Sequence, residues 1–156
     1  MRQTRYASLG LALLTMCLAA CGPVIMSTSS EEREFPQRVT DGRVELRWSC
    51  SRTEAGEVRI EGVANNPWHS QPIRSLQIQV FGVDSNGANV MLASARPRDF
   101  LIQTNGRSPF EITFTPASTE AQFDFIYVYR FDENQPIGRR GTERNLARNI
   151  CPNLET

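Results

Sequence analysis

The chain of 156 residues holds one histidine, four cysteines and 17 carboxylates, and the placement of these groups limits the chemistry open to it. His69 lies in the loop Pro67-Trp68-His69-Ser70-Gln71-Pro72. A general base needs a second group to orient it, and a lone loop histidine beside a tryptophan is ordinarily a surface residue. No Gly-x-Ser-x-Gly elbow and no Gly-rich phosphate loop occurs. Asp84-Ser85-Asn86-Gly87 has the opening of a calcium loop without its remaining ligands, and a hairpin turn accounts for it. A carboxylate pair for glycoside hydrolysis is invisible here, because the separation of two carboxyl groups is a property of the fold. The residues best suited to meet a partner are Trp68 and His69: an exposed tryptophan can stack on a sugar or anchor a protein.

The elements that position these groups begin at the N-terminus. Arg2 and Arg5 precede the run from Leu9 to Leu18, an apolar stretch of roughly a dozen residues and too short to span a bilayer. It closes on Leu18-Ala19-Ala20-Cys21. Together these residues resemble the signal peptide and lipobox of bacterial lipoproteins. The resemblance implies that residues 1–20 are cleaved, that the Cys21 thiol carries diacylglycerol, and that its new amine is acylated. Each buried methylene contributes roughly 0.8 kcal/mol, so two or three chains make a firm membrane anchor. Gly22, in place of an aspartate, implies the outer membrane facing the periplasm. Residues 21–41 then read as the lipidated N-terminus and a disordered tether, since Ser27 to Glu34 is polar and lacks apolar periodicity. About twenty flexible residues give a coil span on the order of 25 Å, with Phe35 as a docking residue.

In that setting Cys17 leaves with the signal and Cys21 carries lipid, which leaves Cys50 and Cys151 in an oxidising compartment where a disulfide is expected. The bridge closes a loop of about a hundred residues, for which the chain-entropy argument gives roughly 4.7 kcal/mol. Two cysteines so engaged and one distant histidine do not make a metal ligand set; no metal or other cofactor is expected. The 17 basic residues, all arginine, balance the 17 acids, and removing the signal leaves a net charge of about −2. That balance, without a basic run, argues against nucleic acid as a partner. The absence of lysine fits codon usage in a GC-rich genome better than a functional demand for arginine.

From Arg43 onward the apolar residues recur with period two, the mark of half-buried strands. Val44, Leu46, Trp48 and Cys50 share one face, as do Val58, Ile60, Gly62 and Ala64 before the turn Asn65-Asn66-Pro67. Leu76, Ile78 and Val80 follow, with a phase shift to Phe81 and Val83 around Gly82 that implies a bulge or a strand covered on both faces. Asn86-Gly87 marks a hairpin; a two-residue loop sets Val83 opposite Val90 and Phe81 opposite Leu92. Phe100 to Ile102 forms a short piece, and Phe110, Ile112 and Phe114 form another face between Pro109 and Pro116. In Gln122 to Asp132, Phe123, Phe125, Tyr127, Tyr129 and Phe131 share one face while Ile126 and Val128 take the other, as in a mid-sheet strand. Beyond Gln135 the expectation is a two-turn helix capped by Thr142, carrying Leu146 and Ile150 inward with Arg140, Arg144 and Arg148 along one side.

These runs predict an all-β fold, an immunoglobulin-like antiparallel β-sandwich of six to seven strands over residues 42–134, with a closed barrel as the alternative and residues 135–156 a tail tied back by the disulfide. Residues 57–115 resemble the FxLYD-like group of immunoglobulin-like domains of prokaryotic envelope proteins. Gly62-Val63-Ala64-Asn65, then Leu76 to Val83 with Asp84 and Gly87, then Ser108-Pro109-Phe110 carry that resemblance. It implies the fold and an extracytoplasmic setting, and transfers no catalytic residue. The expected function is that of a lipid-anchored, non-catalytic binding, scaffolding or assembly module, not an enzyme, held to the membrane by its lipid and meeting an envelope protein or glycan. The alternative is a small envelope hydrolase acting on glycan or peptidoglycan.

Overall fold

Alternation of apolar and polar residues lets each strand bury one face, and two sheets meet over those faces. The computed structural model describes residues 34–117, 119–132 and 140–154; Cys21 and residues 1–33 lie outside the described residues. Nine strands are present there: β1 (Gln37–Thr40), β2 (Glu45–Arg52), β3 (Val58–Asn65), β4 (Ile73–Asp84), β5 (Asn89–Ala95), β6 (Leu101–Ile102), β7 (Arg107–Phe114), β8 (Glu120–Asp132) and β9 (Arg140–Ala147). Sheet 1 has the order β1-β2-β3-β7 and sheet 2 the order β5-β4-β8-β9, with β6 also on β4. Every pairing is antiparallel. The fold is a β-sandwich.

The inward residues are those the alternation marks. Leu46, Trp48, Val58, Ile60, Ala64, Ile78, Val80, Ile112, Phe125, Tyr127 and Tyr129 are all buried. Trp48 of sheet 1 meets Phe125 of sheet 2 edge-on with centroids 5.1 Å apart, and Phe114 meets Phe123 in the same way at 5.2 Å. Aromatic pairs of this geometry contribute roughly 0.5–1.5 kcal/mol beyond their burial. Pro109 is tolerated inside β7 because β7 is an edge strand whose missing N–H costs no ladder bond.

Four expectations are corrected. The strands number nine rather than six or seven, and they reach past residues 42–134 on both sides. Gln37–Thr40, expected in the tether, pairs with Glu45–Trp48. Arg140–Ala147, expected as a helix, pairs with Phe125–Asp132 instead, because β8 leaves a row of backbone donors and acceptors that a helix could not satisfy. Leu146 therefore points outward, half exposed, while Ile150 is buried as expected. The hairpin register is also different: Val83 stands opposite Asn89 and Phe81 opposite Met91. Asp84 Oδ1 accepts from the N–H groups of Asn86 and Ala88, each at 2.8 Å, which widens the loop to three residues and puts only Gly87 at positive φ. The bulge lies between Val80 and Phe81.

The disulfide joins Cys50 to Cys151. It fastens the segment after β9 to β2, and there Trp48 Nε1 donates to the Ile150 carbonyl at 2.7 Å.

Candidate functional site

The loop holding Trp68 and His69 is set by Asn66, which is wholly buried. Its Nδ2 donates to the carbonyls of Gln71 and Ile102, at 2.9 and 3.2 Å, while its Oδ1 accepts from the Trp68 N–H at 3.1 Å. Trp68 is half-buried and His69 exposed. The Arg43 guanidinium carbon lies 4.4 Å from the Trp68 ring centre and 3.6 Å from that of Phe131. Arg43 is thus stacked against two aromatic rings, and Trp68 has one face occupied by a guanidinium rather than offered to a sugar.

Behind this stack runs a polar network that the sequence did not announce. Asp41 Oδ1 accepts from the backbone N–H groups of Arg43 and Val44, and its Oδ2 accepts from Asn145 Nδ2 at 2.6 Å. The Tyr129 hydroxyl donates to Glu143, whose other oxygen faces Arg43 Nη1 at 3.4 Å. Burial, and then the hydrogen bond with Glu143 and the charge of Asp41, push the Tyr129 hydroxyl well above the usual phenol range. Tyr127 moves the same way, first through burial and then through Asp41. These contacts tie the β1–β2 turn to β9 and close one end of the sandwich.

Two carboxylates stand side by side. Glu61 and Glu111 are directly opposed on β3 and β7, and Arg59 holds both, through Nη2 to Glu61 at 2.9 Å and Nε to Glu111 at 3.0 Å. On the same outward face Glu45 binds Arg38 and Arg47, so sheet 1 presents a lattice of ion pairs. Next to it lies a cleft of about 710 Å³ between β3, β7 and the link after β5. Among the described residues no group of three or more His, Cys, Asp or Glu is placed to hold a metal ion.

The outward face of sheet 2 is of a different kind. Phe81 and Val83 of β4, Ile126 and Val128 of β8, and Leu146 of β9 alternate with the core residues and so point away from sheet 1. Met91, 57 % exposed, extends the stripe because it pairs with Phe81. A groove of about 460 Å³ runs along it, with Phe81, Val83, Ile126 and Leu146 in its lining and Arg144 and Arg148 beside them. The two-sided apolar pattern of β4 and β8 is the sequence signal for this face; Leu146, expected inward on a helix, joins it because the segment is a strand.

The structure does not gather Trp68 and His69 with this stripe; they stand in the β3–β4 loop. No helix among the described residues is long and apolar enough to cross a membrane. No protein-family profile matches the chain, and no curated protein matches it. Among solved structures, a chain described as Northeast Structural Genomics Consortium target SoR45 aligns at 11 % identity with a TM-score of 0.40, over 76 % of this chain and 94 % of its own, a likeness too slight to carry an argument.

Proposed function

We propose that the chain is a lipid-anchored, non-catalytic module of the bacterial envelope that holds a protein partner against the outward face of sheet 2. The observation that carries this reading is the contrast between the two outward faces. Sheet 1 is covered by ion pairs, whereas sheet 2 exposes a stripe of apolar side chains with a groove along it. Contiguous apolar surface on a soluble domain marks an interaction site. The lipobox resemblance supports the anchor at Cys21 and an outer-membrane location facing the periplasm. The order β2-β3-β7 against β5-β4-β8-β9 supports the immunoglobulin-like reading of the sandwich.

A photo-crosslinking residue placed at Leu146 or Met91 of the full chain in intact cells should give one shared, discrete adduct. The same residue at Thr113, outward on sheet 1, should not. L146D with F81D should abolish the adduct while the purified protein keeps a cooperative thermal transition. Adducts from Thr113 alone would reject the assignment of the face. The hydrolase alternative rests on Glu61 and Glu111, and their shared capture by Arg59 favours a structural ion pair. Release of soluble fragments from peptidoglycan by the purified protein, lost in E61Q/E111Q, would support the enzyme instead.

A further inference from the structure

The cleft beside the ion-pair lattice holds arginines that the lattice does not use. Arg96 and Arg98 flank Pro97, which is buried, so the two side chains leave the link after β5 on its exposed side. That link is pinned to the edge of β7: the Arg98 N–H donates to the Pro109 carbonyl at 2.9 Å, and the Asp99 N–H donates to Ser108 Oγ at 2.8 Å. Ser108 is itself wholly buried, so the backbone under the two arginines is fixed by the core. Arg107 of β7 lines the same cleft, and Val63 and Pro109, outward on β3 and β7, give it an apolar floor. Glu34, Glu61 and Glu111 also line it, and Arg59 claims the last two, which leaves one acid against Arg96 and Arg98. Arg96 and Arg98 make no side-chain hydrogen bond or ion pair among the described residues, whereas Arg38, Arg47 and Arg59 on this face each hold a carboxylate within 3.0 Å.

We propose that this cleft binds a ligand bearing an oxyanion, a carboxylate or a phosphate ester, on Arg96 and Arg98, with its apolar portion against Val63 and Pro109. A planar guanidinium matches both oxyanions through paired N–H donors, and a fixed backbone lowers the entropy lost when two such forks close on one group. A volume of about 710 Å³ suits a small molecule or a short segment of a larger one. The site is separate from the stripe on sheet 2 and does not depend on it.

The test is an NMR titration of the whole mature protein with inorganic phosphate and, separately, citrate, each against chloride at matched ionic strength. Saturable shifts are expected at the Arg96 and Arg98 side-chain N–H signals and at the backbone N–H signals of Val63 and Glu111, the backbone response weakened about tenfold or more in R96Q/R98Q and retained in R144Q/R148Q. Saturation by phosphate only assigns a phosphate ester, and by citrate only a carboxylate. Shifts that do not saturate, that appear equally at Arg144 and Arg148, or that persist in R96Q/R98Q would overturn the proposal. A native thermal transition in R96Q/R98Q separates loss of the site from loss of the fold.

Discussion

At the scale of single residues, Gly62 shows how closely neighbouring strands of sheet 1 are fitted. It lies inward on β3, opposite Trp48 on one side and Phe110 on the other, and a methyl group there would meet the Arg47 carbonyl oxygen and stand 2.6 Å from the Phe110 ring. Gly62→Ala should therefore destabilise the protein by about 1–3 kcal/mol, read as a lower urea midpoint at unchanged slope. Glu45 carries a pH dependence. Burial raises its pKa, but the hydrogen bonds from Arg47 and Asn65 and the charges of Arg47 and Arg38 outweigh that and hold it below the ordinary carboxylate value. A depressed folded pKa contributes stability above the unfolded value, near 4.5, and loses it as pH falls through the folded value. Glu45→Gln should be less stable than the parent at pH 7, with the gap closing in denaturant titrations run through the acid range. The two buried tyrosines act at the other end of the scale. Their raised pKa values mean that their contribution is complete below the unfolded phenol value of about 10 and is lost as pH rises beyond it. In the mature chain tyrosinate absorbance should therefore appear together with unfolding, and a smooth titration near pH 10 in a still-folded protein would contradict the burial.

At the scale of elements, the C-terminal segment carries the clearest lesson. Thr142, Leu146 and Ile150 have helical spacing, yet the segment is β9 followed by a turn. The open edge of β8 needed a partner, and Asn149, at φ 49°, turns the chain so that its N–H donates to Asp124 Oδ1 and the Ile150 N–H donates to the Phe123 carbonyl. Helical periodicity over two turns is a weak preference that a sheet edge overrides. The Cys50–Cys151 bridge then fastens this segment to β2 across 101 positions of sequence. Replacing both cysteines by alanine should cost about 2–5 kcal/mol, measured by equilibrium unfolding. The Trp48 emission should shift as its bond to the Ile150 carbonyl loosens. Equal stability of the two forms would mean that the ladder between β8 and β9 alone holds the segment.

At the scale of the whole molecule, one outer face of the sandwich is laced with ion pairs and the other carries an apolar stripe. Under the proposed lipid anchor at Cys21, the domain can present either face to a neighbour. Cys21→Ala should move the protein from the membrane pellet to the soluble fraction, because one lipid-free terminus removes every acyl chain that holds it; retention in the pellet would show that the anchor lies elsewhere. The same variant should leave the fold untouched, since the disulfide uses other cysteines.

The amino-acid sequence by itself determined the inward faces of β2, β3, β7 and β8 and the all-β class, because period-two alternation is a local property that burial of one sheet face enforces. The Cys50–Cys151 pair was legible through the compartment that the N-terminal resemblance implies. Only the tertiary structure decided the rest. The register of the β4–β5 hairpin turned on how Asp84 satisfies its own loop, and the state of β9 turned on an unpaired edge supplied by a distant strand. The candidate surfaces lay beyond sequence for the same reason: Phe81, Ile126 and Leu146 come from three strands, and Arg96 and Arg107 from two flanks of one cleft. Their meeting is set by non-local pairing, which no short stretch of chain encodes.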